Sequence, residues 1–186
     1  MDIRKISIIG SGTLGIMYGR FLSKHLPAGN VRFIADENLI ETYRNTSIIC
    51  NGSPCRFTFV PFGADDPADL VIFAMRFGEL EDVIRRIGSQ VGKNTVILSL
   101  INGITSQDML SRAFGNDRVL LCTVQGTDVS RSGNQITYTD MGVLNIGTQD
   151  GLPSDFIKAL TTFFDSIGFP YHFSTDMKKS LWERLV

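Results

Sequence analysis

The stretch that most constrains the fold is "KISIIGSGTLG", residues 5–15. Four apolar or β-tolerant residues, Ile6 to Ile9, run straight into Gly10, Gly12 and Gly15, and a helical pattern begins at Thr13 and reaches about His25. Each glycine has a physical reason to be there. Gly10 allows a tight turn, Gly12 lets a pyrophosphate come close to the backbone, and Gly15 lets the helix lie against the strand before it. The free N–H groups at the head of the helix and its positive dipole end then attract phosphates. Gly10, Ser11, Gly12, Thr13, Leu14 and Gly15 are therefore expected to bind a dinucleotide. Asp36 follows the next apolar run, "VRFIA" (31–35), and lies 21 positions beyond Gly15. That is close to the spacing of a carboxylate that holds an adenosine ribose. Three other readings stay open on the residues alone. The glycines could form a turn without a ligand, or the loop could serve an adenosylmethionine methyltransferase, although such enzymes usually space their glycines differently. Asp36 could also be a helix N-cap, since "DEN" opens the next helical stretch.

The alternation continues along the chain. Strands are expected at "KISII" (5–9), "VRFIA", "DLVIFAM" (69–75), "NTVILSLI" (94–101) and "RVLLCTV" (118–124). Helical patterns fall at 37–44, at "ELEDVIRRIGSQV" (79–91) and after residue 104, where Thr105 or Ser106 is the expected N-cap. Residues 48–62 read as an extended excursion around Asn51-Gly52. Strands alternating with helices imply an α/β fold, a doubly wound, mostly parallel sheet covered on both faces. Later the pattern changes. "QITYT" (135–139) and "VLNIG" (143–147) alternate around Asp140-Met141-Gly142 and suggest an antiparallel hairpin at the sheet edge. A helix is expected from Pro153 to Ser166, a last strand at "FPYHF" (169–173) and a terminal helix from Ser174-Thr175.

Composition excludes several function classes. The 186 residues are 43% hydrophobic, enough for one domain with a sizeable core. Lys and Arg number 18 against 19 acidic residues, so a net charge of −1 makes no electrostatic case for nucleic acid or an anionic membrane. No apolar run approaches the roughly 20 residues of a membrane span, and the first apolar run is too short for a signal peptide. Cys50, Cys55 and Cys122 share no metal-ligand spacing with His25 or His172, so they are expected to be buried or half-buried thiols in a reducing cytoplasm. His172, in the expected edge strand, reads as structural.

Several segments together resemble one family. The loop "GSGTLG", the strand end "VIFAMR", the segment "VILSLINGITSQDML" and the ending "SLWERL" are similar to ketopantoate reductases (2-dehydropantoate 2-reductases), in order from Ile6 to Val186. The resemblance implies a Rossmann-type domain, here 1–173, joined to an all-helical substrate domain, with 174–186 as the start of the connecting helix. It implies reduction of a 2-oxo acid, ketopantoate to pantoate on the route to coenzyme A, with NADPH as the family's usual cofactor. It also assigns roles. Asn102 matches an asparagine that positions substrate and nicotinamide, although Asn102-Gly103 is also a plausible turn after a strand. Arg76 stands where the family has a lysine beside the cofactor. Arg184 stands where it has a catalytic lysine, two positions after Trp182. Arginine stays protonated and is a poor proton donor, but it can clamp a carboxylate or stabilise an oxyanion. Arg184 could equally be a surface residue on a helix.

Asp36 departs from the family's phosphate-binding arginine at that position. A carboxylate facing a 2′-phosphate is a like-charge contact costing roughly 1–4 kcal/mol, so Asp36 favours NADH, with Arg32 and Arg44 near enough in sequence to complicate the choice. These departures keep a second class in view, a non-catalytic dinucleotide-binding sensor or subunit. A third is another hydroxyacid dehydrogenase of similar layout. Finally, Met177, Leu181 and Leu185 form a stripe on the last helix. Left uncovered, that stripe is expected to fray or to drive self-association, for example as a homodimer, while Trp182 is expected to anchor the helix against the sheet.

Overall fold

The computed structural model describes residues 1–183. Its elements in chain order are β1 (Ile6–Ile9), α1 (Thr13–Ser23), β2 (Val31–Ala35), α2 (Glu37–Asn45), β3 (Ile48–Cys50), β4 (Ser53–Cys55), β5 (Thr58–Pro61) and β6 (Ala68–Phe73). There follow α3 (Leu80–Arg86), β7 (Val91–Ser99), α4 (Ile104–Phe114), β8 (Val119–Gln125), β9 (Ser130–Ser132), β10 (Gln135–Thr137), β11 (Val143–Gly147), α5 (Asp155–Ile167), β12 (Tyr171–Phe173) and α6 (Met177–Glu183). An 8-stranded sheet has the order β12-β11-β8-β7-β6-β1-β2-β5. From β5 to β8 every neighbouring pair is parallel, while β11 runs antiparallel to β8 and β12 parallel to β11. The expected doubly wound, mostly parallel sheet is therefore present.

Burial on both faces follows from the strand sequences. Ile6, Ile8, Phe33, Ile72 and Leu98 join Ile16 and Leu22 of α1 and Leu160 of α5 in one cluster. Ile9, Ile34, Phe73 and Ile97 join Leu80 of α3 and Leu110 of α4 in another. The chain leaves β1 toward β2 on one side, while β6 flanks β1 on the other. The strand order thus reverses between β1 and β6, and in open α/β sheets ligands bind in the crevice beyond the carboxyl ends at such a point.

Residues 48–62 resolve into three strands. Asn51 and Gly52, both at positive φ (48° and 76°), close a two-residue hairpin between β3 and β4, a conformation that asparagine tolerates and glycine, with no Cβ, adopts freely. β5 then joins the edge of the large sheet beside β2. β3 and β4 belong to a separate 4-stranded sheet, β4-β3-β10-β9. That sheet overturns the expected hairpin of 135–147. β10 pairs with β9 and β3, and β11 pairs with β8 and β12. The segment between them is held instead by Asp128, whose carboxylate accepts from the backbone N–H of Thr139 (2.9 Å) and of Asp140 (2.9 Å).

Other boundaries moved as well. The helix expected over 79–91 stops at Arg86, a single 3-10 turn covers Gly88–Gln90, and Val91 already begins β7. This delivers Gln90 to a buried network, where its Oε1 accepts from Ser7 Oγ (2.9 Å) and Arg32 Nη2 (2.8 Å). The N-cap of α4 is Gly103 at φ +96°, not Thr105 or Ser106. The buried Ser106 hydroxyl lies 3.2 Å from the Gly103 carbonyl instead.

The final helix is also not as expected. Met177 and Leu181 are 2% and 5% exposed and pack on Leu121, so two of the three stripe positions are covered. Gly147 permits this approach, since a Cβ there would stand 2.4 Å from Met177 Cγ. Trp182 is 63% exposed and anchors nothing among the described residues, because the helical phase that buries Leu181 turns its neighbour outward. Leu185 lies outside the described residues. No described helix is long and apolar enough to cross a membrane. Cys50 and Cys122 are buried and Cys55 half-buried, and none of the three is in a disulfide.

Candidate functional site

The glycine loop sits at the reversal point. Gly10 has φ +98°, and a Cβ on it would meet the Ala74 carbonyl oxygen at 2.2 Å, so the ends of β1 and β6 touch through its missing side chain. At Gly15 a Cβ would stand 2.4 Å from the Gly10 carbonyl oxygen, which is the close helix-to-strand approach expected of that position. Gly12 is different. Its φ of −73° suits any residue, and the nearest atom to an added Cβ is Ala74 O at 3.7 Å. What Gly12 leaves open is space beside the loop, the cradle a diphosphate needs.

Three cavities follow the carboxyl edge of the sheet. The central one, about 530 Å³, is lined by Gly10, Ser11, Gly12, Thr13 and Leu14 together with Arg76 and Asn102. Most of the expected cofactor residues therefore meet in one cleft. On one side, sharing Leu39, lies a cavity of about 710 Å³ that contains Asp36. On the other, sharing Leu14, Leu100, Ile101 and Asn102, lies a cavity of about 300 Å³ lined also by Cys122, Thr123 and Leu181. Asn102 thus stands between the phosphate cleft and a smaller pocket of mixed polar and apolar lining. Arg184 lies outside the described residues.

Asp36 occupies the N-cap position of α2, but its side chain makes no capping hydrogen bond. Its Oδ1 is instead held by Arg86 Nη2, and Arg86 Nη1 also reaches Asp82 Oδ2 at 3.1 Å. The Asp36 and then the Asp82 hydrogen bonds raise the Arg86 pKa above the ordinary guanidinium value, and Arg86 in turn lowers that of Asp82. The guanidinium lies over the Phe62 ring, 4.1 Å from its centroid, and both line the Asp36 cavity. The carboxylate's other oxygen remains able to accept from a ribose hydroxyl.

Three lining residues were not foreseen. Arg86 comes from α3, Arg131 from β9, and Tyr43 from α2. Tyr43 Oη donates to Ser11 Oγ at 3.0 Å and its ring stacks on Phe59 at 5.0 Å. Tyr43 and Arg86 sit in helical patterns that read as ordinary amphipathic faces. Arg131 sits in a short polar segment with no pattern to mark it. No cluster of three or more His, Cys, Asp or Glu that could hold a metal exists among the described residues.

Comparisons with known proteins bear on this arrangement. A family model described as "Ketopantoate reductase PanE/ApbA" matches residues 6–151. The chain is 25% identical over 193 residues to a 2-dehydropantoate 2-reductase from Aquifex aeolicus, covering 99% of this chain and 60% of that protein. Among solved structures, a 2-dehydropantoate 2-reductase from Geobacter metallireducens matches with a TM-score of 0.78 at 22% identity, over 97% of this chain and 61% of that one. A ternary structure of D-mandelate dehydrogenase with NADH and anilino(oxo)acetate matches with a TM-score of 0.82 at 22% identity, over 97% and 60%. Likeness at such identities speaks for the fold. The chain spans about 60% of the length of the relatives it matches.

Proposed function

Because the chain belongs to the ketopantoate reductase PanE/ApbA family, we propose that it is the nucleotide-binding part of an NAD(P)H-dependent 2-oxo acid reductase, with ketopantoate as substrate. The observation that carries this reading is the run of three adjoining cavities with the glycine loop at its centre. Their order suits adenosine, diphosphate and nicotinamide in turn. Residues 1–173 are the cofactor domain in this reading, and the helix that starts after residue 174 leads toward an all-helical substrate domain.

The bound dinucleotide supplies the hydride that reduces the C2 carbonyl. The chain's own residues bind and orient. Backbone N–H groups at the head of α1 receive the diphosphate, and the open side of Gly12 lets it approach. Arg76, in the same cleft, adds positive charge. Asn102, at the junction of the cleft and the smaller pocket, hydrogen-bonds nicotinamide or substrate without bringing a charge. Arg184 clamps the substrate carboxylate or the developing oxyanion, with water as the proton source. Asp36 accepts from the ribose through its free oxygen and makes NADH the preferred cofactor.

Two measurements test the reading. Nicotinamide fluorescence should report NADH binding to the purified protein, tighter than NADPH. Oxidation of NADH by ketopantoate, set beside a panel of aliphatic and aryl 2-oxo acids, then decides the substrate class. The isolated chain is expected to bind without turning over, so the second assay is made on the longest native product; tight binding without turnover on any 2-oxo acid there would replace this reading with that of a dinucleotide-binding subunit.

A further inference from the structure

The small sheet reaches into the cofactor cleft through one side chain, Arg131. It lies on β9, the edge strand of that sheet, 120 residues along the chain from the glycine loop. Its Nη1 donates to the Ser11 carbonyl oxygen at 2.5 Å and its Nε to the Gly133 carbonyl oxygen at 2.8 Å. Two backbone carbonyls thus fix the guanidinium plane. A guanidinium has five N–H donors, so those on Nη2 and the second on Nη1 are not used by these bonds.

The electrostatics of the cleft give this placement its meaning. The glycine loop offers neutral N–H groups and a helix end, which are partial charges only. The formal charges lining the cleft are Arg76, Arg131 and the opposing Glu79. A diphosphate brings two negative charges. The Ser11 carbonyl, part of the same lining, would present a partial negative charge beside it, and Arg131 neutralises that oxygen. The planar fork also matches phosphate oxygens better than an ammonium would.

We infer that Arg131 is a diphosphate-binding residue, and that the small sheet closes the phosphate side of the cofactor cleft through it. The assignment rests on the dinucleotide reading above and adds a residue from outside the Rossmann sheet. A purely structural role, stapling the small sheet to the loop, is the competing account. It predicts different salt and ligand dependence.

The test is the affinity of NADH, ADP-ribose and adenosine for wild type, Arg131→Gln and Arg131→Lys, from low salt to about 1 M, where the Debye length falls to about 3 Å. Arg131→Gln should weaken NADH and ADP-ribose about tenfold or more at low salt. That deficit should shrink as salt rises, adenosine should bind as to wild type, and Arg131→Lys should recover part of the loss. Unchanged NADH affinity in Arg131→Gln overturns the assignment. So does a loss equally large for adenosine, or one that salt leaves undiminished, since either marks a distorted loop. A wild-type protein that binds neither NADH nor ADP-ribose overturns the dinucleotide reading, and this assignment with it.

Discussion

Gly10 and Gly12 stand two residues apart in one loop, yet replacing each with alanine should damage different properties. At Gly10 the backbone is at φ +98°, and the new methyl would sit 2.2 Å from a backbone oxygen, Ala74 O. The left-handed conformation costs an L-residue about 1–2 kcal/mol. Overpacking against a group that cannot rotate away adds about 1–3 kcal/mol. The total of about 2–5 kcal/mol is a large share of a typical domain stability of about 5–15 kcal/mol. For a chain of this size it corresponds to a fall in Tm of roughly 4–20 °C. At Gly12 the backbone suits any residue and the nearest atom is an ordinary 3.7 Å away. Only the preference for glycine over alanine at an N-cap is lost, below about 1 kcal/mol. The methyl does, however, occupy the approach to the loop, so NADH affinity should fall about tenfold or more while Tm barely moves. Thermal unfolding followed by circular dichroism, with NADH titration of both variants, separates the two effects. A Gly10→Ala protein that melts with wild type, or a Gly12→Ala protein that melts early and binds normally, would refute the geometric argument.

Asp36→Asn should relieve the repulsion of a 2′-phosphate and free Arg86 to meet it, raising NADPH affinity relative to NADH. Arg86→Gln should lower NADPH affinity further and spare NADH, and an unchanged ratio in both variants would remove the pair from cofactor choice. Asp66 has its pKa lowered by the Lys5 and then the Arg32 hydrogen bond. Its contribution to stability is therefore present above the unfolded carboxylate value, about 3.9, and is lost as pH falls through the lower folded value. Acid unfolding of Asp66→Asn should be correspondingly less steep in that range. Burial, and then its neighbour Cys50, pushes the Cys55 thiol up to about 11. Cys55 should accordingly alkylate slowly at pH 8, and rapid labelling there, mapped by mass spectrometry, would contradict its burial.

Much of this protein is legible in its residues one window at a time. The run from Ile6 through Gly15 contains strand, turn and helix start within ten positions, so apolar period and glycine conformation suffice to place the phosphate loop. The same holds for Asn51-Gly52, whose shared tolerance of positive φ makes a hairpin wherever two short strands flank it. The doubly wound order follows because alternating strands and helices have few ways to bury both sheet faces. Where two placements satisfy the local pattern equally, the sequence is silent and long-range pairing decides. β10 and β11 could have paired with each other by alternation alone, but Asp128 holds the residues between them, β11 pairs with the longer β8, and β10 pairs with β3 and β9 in the small sheet. The helix before β7 is cut short because Gln90 is drawn into the Ser7–Arg32 network from another part of the chain. Met177 and Leu181 look unpartnered until Leu121 and the bare Gly147 are brought beneath them. The charges of the candidate site belong to this second kind. Asp36 meets Arg86 across 50 residues, and the Ser11 carbonyl meets Arg131 across 120. Local periodicity determines what each segment becomes, but ionic contacts act through space, and only the closed fold places those partners within reach.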